Sequence, residues 1–230
     1  MSEPAARHRG RAVSTPTLRF ERELLRSGLS ALACADEAGR GALCGPVSVG
    51  VVVVTNKTKT APQGVRDSKL LSEERRTALV PHIHRWAAAY AVGLASAAEI
   101  DALGIMAAMR LAGRRAIAAL TLRPDAILLD GNHDYLSDAA QASLLDMSER
   151  DFDMPPVRTR VKADLRCAGV AAASILAKTT RDELVIELSR DYPDYGWSGN
   201  KGYAAPEHVE ALKRLGPTPH HRRSWSLPTQ

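Results

Sequence analysis

Aromatic residues make up only 4% of the 230-residue chain, and cysteine occurs three times, at Cys34, Cys44 and Cys167. Three is an odd number and no two stand at C-x-x-C spacing, so neither a disulfide framework nor a structural zinc site is indicated; a reducing cytoplasm fits that usage. No apolar run approaches the roughly 20 residues that span a bilayer, which makes the expectation a soluble protein without a membrane partner. The first residues, MSEPAARHRGRAVSTPT, contain no apolar stretch of the kind a secretory signal needs and read as a disordered basic arm over 1–17. The glycines of GRGALCG are spaced G-x-G-x-x-x-G, not as a dinucleotide fingerprint, and no Lys-Ser or Lys-Thr follows to make a P-loop.

What is present is a basic balance, a formal charge of +5, with the basic residues gathered in the N-terminal arm and near HHRRSW at 220–225. That asymmetry fits a polyanionic partner, and a plain basic surface fits it equally well. His220 and His221 lack a third ligand at metal spacing, so they read with Arg222 and Arg223 as a phosphate-facing patch.

The hydropathy pattern alternates between strand and helix. Residues 18–27 fit a short amphipathic helix; 30–36, 46–54, 87–95, AILLD at 126–130 and VRTRVKAD at 157–164 read as strands, the first two closing a hairpin around the Gly-Arg-Gly loop. Ser72 caps a helix that Pro81 should kink or split, and Ser96 with Glu99 makes a capping box ahead of a helix that rearranges at Gly104. A long apolar helix follows Cys167, and a last amphipathic one spans about 206–215. The segment from Asp134 to Asp153 carries six acids and one arginine and reads as a surface insertion. The fold class is α/β: a central mixed sheet flanked by helices, with a main domain over 18–195 and a small helical extension over 196–230.

Three of the expected strands end on acids: Asp36 with Glu37, Asp130, and Asp164. Two adjacent carboxylates at the rim of a core repel each other and lose hydration, so a basic side chain or a metal ion must offset them. Ligand sites of α/β proteins lie at strand ends, and an oxygen-only set suits Mg²⁺ or Mn²⁺; two such ions about 4 Å apart activate water on one side of a phosphate and stabilise the leaving oxygen on the other. Taken singly, an Asp at a strand end is more often a turn former or a helix cap than a ligand, Asp130 before Gly131 especially so, and only the set of four favours the metal. Asp134, in a loop, and Asp182, on a polar helix face, are weaker candidates. Gly39, Arg40 and Gly41 could bring backbone N–H groups close to a sugar-phosphate, or simply form a tight turn. Ser174 and Lys178, four apart on one helix face, could reach a phosphate together, and NKGY at 200–203 sets Tyr203 beside a base and a glycine.

In this order, DEAGRG, DSKLLS, LLDGN, VKAD, AAASILAKTTRD, NKGY and HHRRSW closely resemble bacterial ribonuclease HII, a type 2 ribonuclease H, over almost all of residues 31–225. The resemblance implies a ribonuclease H-like fold whose C-terminal part helps grip the substrate. It implies that Asp36, Glu37, Asp130 and Asp164 are the four catalytic, metal-binding acids holding two Mn²⁺ or Mg²⁺ ions. Gly39, Arg40 and Gly41 resemble the loop that reads the 2′-hydroxyl at a ribonucleotide-to-deoxyribonucleotide junction, and Tyr203 resembles the tyrosine that stacks on the next deoxyribose. Lys69, Ser174 and Lys178 fall where family members touch the phosphate backbone. The implied reaction is hydrolysis of the RNA strand of RNA–DNA hybrids and incision 5′ to ribonucleotides embedded in duplex DNA, leaving 3′-hydroxyl and 5′-phosphate ends, with nothing demanding more than a monomer. The rival readings are a carboxylate nuclease that cuts all-DNA substrates and a non-catalytic nucleic-acid binder. The chain departs from the family pattern at Leu70, where a second lysine is common, at Asn200, where a histidine is common, and in the length of the acidic segment.

Overall fold

The β-branched run after Pro46 forms a strand buried along nearly its whole length, β2 (Val47–Thr55), and the sheet assembles around it. The computed structural model describes residues 15–137 and 154–229. β1 (Ala31–Ala38) pairs antiparallel with β2, Ala35 opposite Val51 and Asp36 opposite Gly50, closing the expected hairpin. β3 (Ala89–Ala95) lies antiparallel on the outer side of β2. β4 (Ala126–Asp130) and β5 (Val157–Arg160) continue in parallel on the other side of β1, giving the order β3-β2-β1-β4-β5.

Strand periodicity divides the core into two layers. Leu32, Cys34 and Leu128 face one side, where α5 (Ala168–Leu188) packs; Ala33, Ala35, Ile127 and Leu129 face the other, where α4 (Ile105–Ala118) packs behind α3 (Ala97–Leu103). α5 is buried nearly all round, and its alanine-rich sequence lets it approach β2 closely. A Cβ on Gly50 would stand 2.3 Å from the Ala173 carbonyl oxygen, so the strand partner of Asp36 must be glycine for the helix to cross there.

The local signals act as read. α1 (Arg19–Arg26) fills the expected helix, Ser72 Oγ accepts the Arg75 N–H at 3.4 Å to start α2 (Glu73–Trp86), and the Ser96–Glu99 capping box opens α3, with Gly104 at φ +78° separating it from α4. Three expectations need correction. Pro81 does not split α2, which runs unbroken from Glu73 to Trp86; the residue four before it, Thr77, whose carbonyl a proline cannot serve, is exposed, so water can reach it. The strand expected over 157–164 ends at Arg160, and a turn through Lys162, at φ +57°, carries the chain to Asp164. The disordered arm expected over 1–17 lies outside the described residues up to 14, but Thr17 is held, its N–H donating to the Arg166 carbonyl at 3.1 Å. The expected acidic insertion lies outside the described residues from 138 to 153.

The C-terminal helices α6 (Trp197–Asn200) and α7 (Pro206–Leu215) gather around a small core of their own that includes Cys44, Val185, Trp197 and Leu212. Among the described residues no helix is long and apolar enough to cross a membrane.

Candidate active site

The parallel register of β1 and β4 sets Ala35 beside Leu129, so the acids that follow them, Asp36 and Asp130, leave the sheet at the same edge. By the two-residue period both continue the α5 face, whereas Glu37 continues the α4 face. Asp164 arrives from the turn that precedes α5. Asp130 braces this turn, one of its carboxylate oxygens accepting the Ala163 N–H at 2.6 Å and the Asp164 N–H at 3.3 Å.

Charge is the dominant fact of this edge. Burial, then Glu37 and Asp130, hold the Asp36 carboxyl well above the usual carboxylate range, and Asp164 adds to the effect. Burial and Asp130 likewise raise Asp164 to about 6. Burial also raises Glu37, against the pull of Arg40. The cation facing Asp36, Glu37 and Asp164 together is Lys69; burial alone would lower its ammonium, but Asp36, Asp67, Asp164 and Glu37 outweigh that and hold it above its ordinary value. Lys69 sits in a 3-10 turn (Ser68–Leu70) that Asp67 caps at the Lys69 N–H, 3.0 Å away. Four carboxylates against one lysine form a hard, all-oxygen donor set suited to divalent Mg²⁺ or Mn²⁺. Among the described residues no three candidate ligands already form a closed shell, so the fit lies in donor chemistry and shared position.

Beside the acids opens a cleft of about 460 Å³ lined by Glu37, Gly39, Arg40, Gly41, Ser68, Lys69, Lys178 and Tyr203. Six of the seven residues expected to touch substrate therefore meet here. Gly39 has φ +83° and a Cβ on it would lie 2.8 Å from the Pro46 carbonyl oxygen, so only glycine fits. The Arg222 guanidinium binds the carbonyls of Gly39 at 2.6 Å and Arg40 at 2.7 Å, drawing them inward. The N–H groups of Arg40 and Gly41 donate to no acceptor among the described residues. The Tyr203 ring has Lys178 Nζ 5.0 Å and Arg181 Cζ 5.1 Å from its centroid. The seventh residue, Ser174, is buried below the cleft; its hydroxyl accepts the Ser68 N–H at 3.1 Å and donates to the Ala171 carbonyl at 2.8 Å, so it shapes the turn that carries Lys69.

Residues 33–227 match the family model of ribonuclease HII, and the chain is 44% identical over 212 residues to the ribonuclease HII of Streptomyces avermitilis, covering 92% of this chain and 84% of the relative. The chain belongs to the ribonuclease HII family. It is a type 2 ribonuclease H, an enzyme that acts on RNA–DNA hybrids. The ribonuclease H2 of Pyrococcus horikoshii shares its fold with a TM-score of 0.64 at 30% identity, over 86% of this chain and 95% of that one. A Bst-RNase HIII solved with Mn²⁺ shows the same fold at 22% identity and a TM-score of 0.64, over 86% of this chain and 68% of that one.

Two parts of the chain depart from their sequence reading. The expected phosphate-facing patch at 220–223 is instead mostly interior: His221 and Arg222 are fully buried and Arg223 alone is exposed. Asp182 lies on no polar helix face but is buried among Lys178, Arg181 and Arg76, at 2.7, 3.2 and 3.9 Å. Tyr135 went unread. It is buried against the α4 layer, and burial and then Glu37, Asp36 and Asp130 push its phenol well up, the hydroxyl lying toward the Glu37 carboxylate. The available signal was an aromatic five residues after Asp130 in an aromatic-poor chain.

The raised acids predict a trade of stability for function. Asp164 titrates near 6 when folded and near 3.8 when free, so above pH 6 its ionised form weakens the fold, and below about pH 4 that penalty vanishes. Asp164→Asn should therefore stabilise the protein by about 1–2 kcal/mol at pH 7 in chelator, with the gain shrinking as pH falls from 6 to 4. Urea unfolding at pH 7 and pH 4 measures this; equal ΔΔG at both values would refute it.

Proposed function

We propose that the chain cleaves the RNA strand of RNA–DNA hybrids and nicks duplex DNA on the 5′ side of an embedded ribonucleotide, leaving 3′-hydroxyl and 5′-phosphate ends. The observation that carries this reading is the meeting of four carboxylates, offset by Lys69, with a cleft whose loop presents free N–H groups. Asp36, Glu37, Asp130 and Asp164 would be the residues that hold two Mn²⁺ or Mg²⁺ ions. When bound, such ions supply Lewis-acid activation of water and charge neutralisation at the phosphate.

The remaining steps belong to the chain itself. The Arg40 and Gly41 N–H groups donate to the ribose 2′-hydroxyl and the adjoining phosphate, and that hydroxyl supplies the discrimination between RNA and DNA. Lys69 and Lys178 neutralise phosphates flanking the scissile bond, so affinity falls as salt rises. Tyr203 packs on the deoxyribose beyond the junction and fixes the register of the strand. Such an enzyme acts as a monomer in the cytoplasm, a setting in keeping with three buried free cysteines.

The test offers two labelled duplexes, one all DNA and one with a single ribonucleotide, with Mg²⁺, Mn²⁺ or chelator. The expected result is a metal-dependent nick 5′ to the ribonucleotide and an intact all-DNA duplex. Cutting of all-DNA duplex would identify a carboxylate nuclease of another specificity, and metal-independent binding without cutting would identify a binding module.

A further inference from the structure

Behind Tyr203, two fully buried histidines join the C-terminal elements by hydrogen bonds whose direction can be deduced. The Thr218 N–H can only donate, and it faces His221 Nδ1 at 2.9 Å, so that nitrogen carries a lone pair. Neutral His221 then bears its proton on Nε2, which faces His208 Nε2 at 3.0 Å. The indole Trp197 Nε1–H, a donor only, points at the same His208 Nε2 from 3.1 Å. His208 Nε2 must therefore accept, and its proton sits on Nδ1, which donates to the Tyr203 carbonyl at 2.8 Å.

Any other protonation state sets donor against donor. The opposite tautomer of His208 would aim an N–H at two hydrogens, a cationic His208 would do the same, and a cationic His221 would set its Nδ1–H against the Thr218 N–H beside the Thr218 hydroxyl. Burial lowers both histidines, His221 to about 4; His208, His220 and Arg223 lower His221 further against the Thr218 backbone, and the Tyr203 backbone and Glu207 only partly offset burial at His208. The Tyr203 carbonyl also takes the Ala205 N–H at 2.8 Å, while the neighbouring Gly202 carbonyl takes Leu43 N–H at 2.9 Å. The turn at 201–203 is thus held from both sides, and His208 is the side-chain donor on the tyrosine itself.

We propose that His208 and His221 are positioning residues: a relay of one fixed tautomer each, running from the Thr218 N–H to the Tyr203 carbonyl, sets the pose of the Tyr203 ring against the sugar of the bound strand. The relay is a property of the fold, and its consequence for the sugar rests on the function proposed above. An Asn amide nitrogen reaches the place of imidazole Nδ1, whereas a Gln amide reaches that of Nε2. His208→Asn therefore keeps the donor to Tyr203 and His208→Gln loses it.

Two measurements separate the relay from the function. Long-range ¹H–¹⁵N spectra of the ¹⁵N-labelled full chain at neutral pH should show His208 protonated at Nδ1 and His221 at Nε2. Averaged tautomers, a cationic ring or the reverse assignment would overturn the proposal, whether or not the protein cleaves anything and without need of a variant. On the ribonucleotide-containing duplex, His208→Gln should raise KM about tenfold with little change in kcat, and His208→Asn should stay within about twofold of wild type. In a Tyr203→Ala background the His208→Gln effect should disappear. Equal losses in the Asn and Gln variants, or an undiminished loss without the tyrosine ring, would reduce the histidines to packing and overturn the proposal.

Discussion

Asp36→Asn is expected to fold, to bind hybrid as well as the wild type does in chelator, and to lose at least about 10³-fold in turnover with Mn²⁺ or Mg²⁺. The substitution keeps shape and volume, so what changes is charge and ligand strength. Asp36 is the most buried of the four acids and the one whose carboxyl is pushed up by all three others, so it sits at the electrostatic centre of the group. A neutral amide there weakens the attraction for a divalent ion at the moment when charge develops on the phosphate. Asp130→Asn should act similarly, with the added loss of an anionic acceptor for the Ala163 and Asp164 N–H groups. Asp134→Asn is the control: its carboxylate caps the Leu136 and Ser137 N–H groups at 2.9 Å, an amide oxygen can do the same, and turnover should hold. Single-turnover cleavage of a ribonucleotide-containing duplex measures all three, and more than a tenth of wild-type turnover in Asp36→Asn would refute the assignment.

The placement of that acid was legible in the sequence because strands impose a period of two. Asp36 follows Leu32 and Cys34 at even spacing, Asp130 follows Ala126 and Leu128, and both apolar pairs enter the layer under α5. The capping signals at Ser72 and Ser96 were equally local and equally readable, since each depends on residues three apart. What stayed hidden depended on chain segments far apart in sequence. A run such as HHRRSW states its charge but not its burial, and nothing local says that carbonyls from Gly39, Arg40 and Gly45 converge on one guanidinium. Asp182 misled in the same way: on α5 it occupies a polar position, yet three cations from two helices enclose it. Ser174 shows the converse, a polar residue on the expected helix whose partner, the Ser68 N–H, comes from a turn 106 residues away in sequence.

The second large effect follows from that buried guanidinium. Arg222→Ala should lower the thermal midpoint by roughly 10 °C or more and relax the choice between ribonucleotide and deoxyribonucleotide in the protein that remains folded. Arg222 is fully buried, its guanidinium binds the carbonyls of Gly39, Arg40 and Gly45 at 2.6, 2.7 and 3.2 Å, and it packs 4.8 Å from the Trp225 ring centroid. Burial and neighbouring Arg181 lower its pKa only to about 10, so it stays charged at neutral pH. Alanine leaves the Arg40 and Gly45 carbonyls without a donor and the Gly39 carbonyl with the Ala42 N–H at 3.3 Å alone, each stranded carbonyl a loss of about 1–3 kcal/mol, and a cavity besides. A domain with about 5–15 kcal/mol of total stability has little margin for that. Lysine should not rescue, because one ammonium cannot reproduce the planar fan of donors that spans carbonyls on both sides of the loop. The functional consequence comes from the same bonds. With the Gly39 and Arg40 carbonyls released, the loop can turn them outward, and acceptors then face the 2′-hydroxyl where N–H groups stood. Thermal unfolding and the ratio of cleavage on ribonucleotide-containing and all-DNA duplexes report the two effects separately. A midpoint within about 2 °C of wild type would show that Arg222 does not hold the loop.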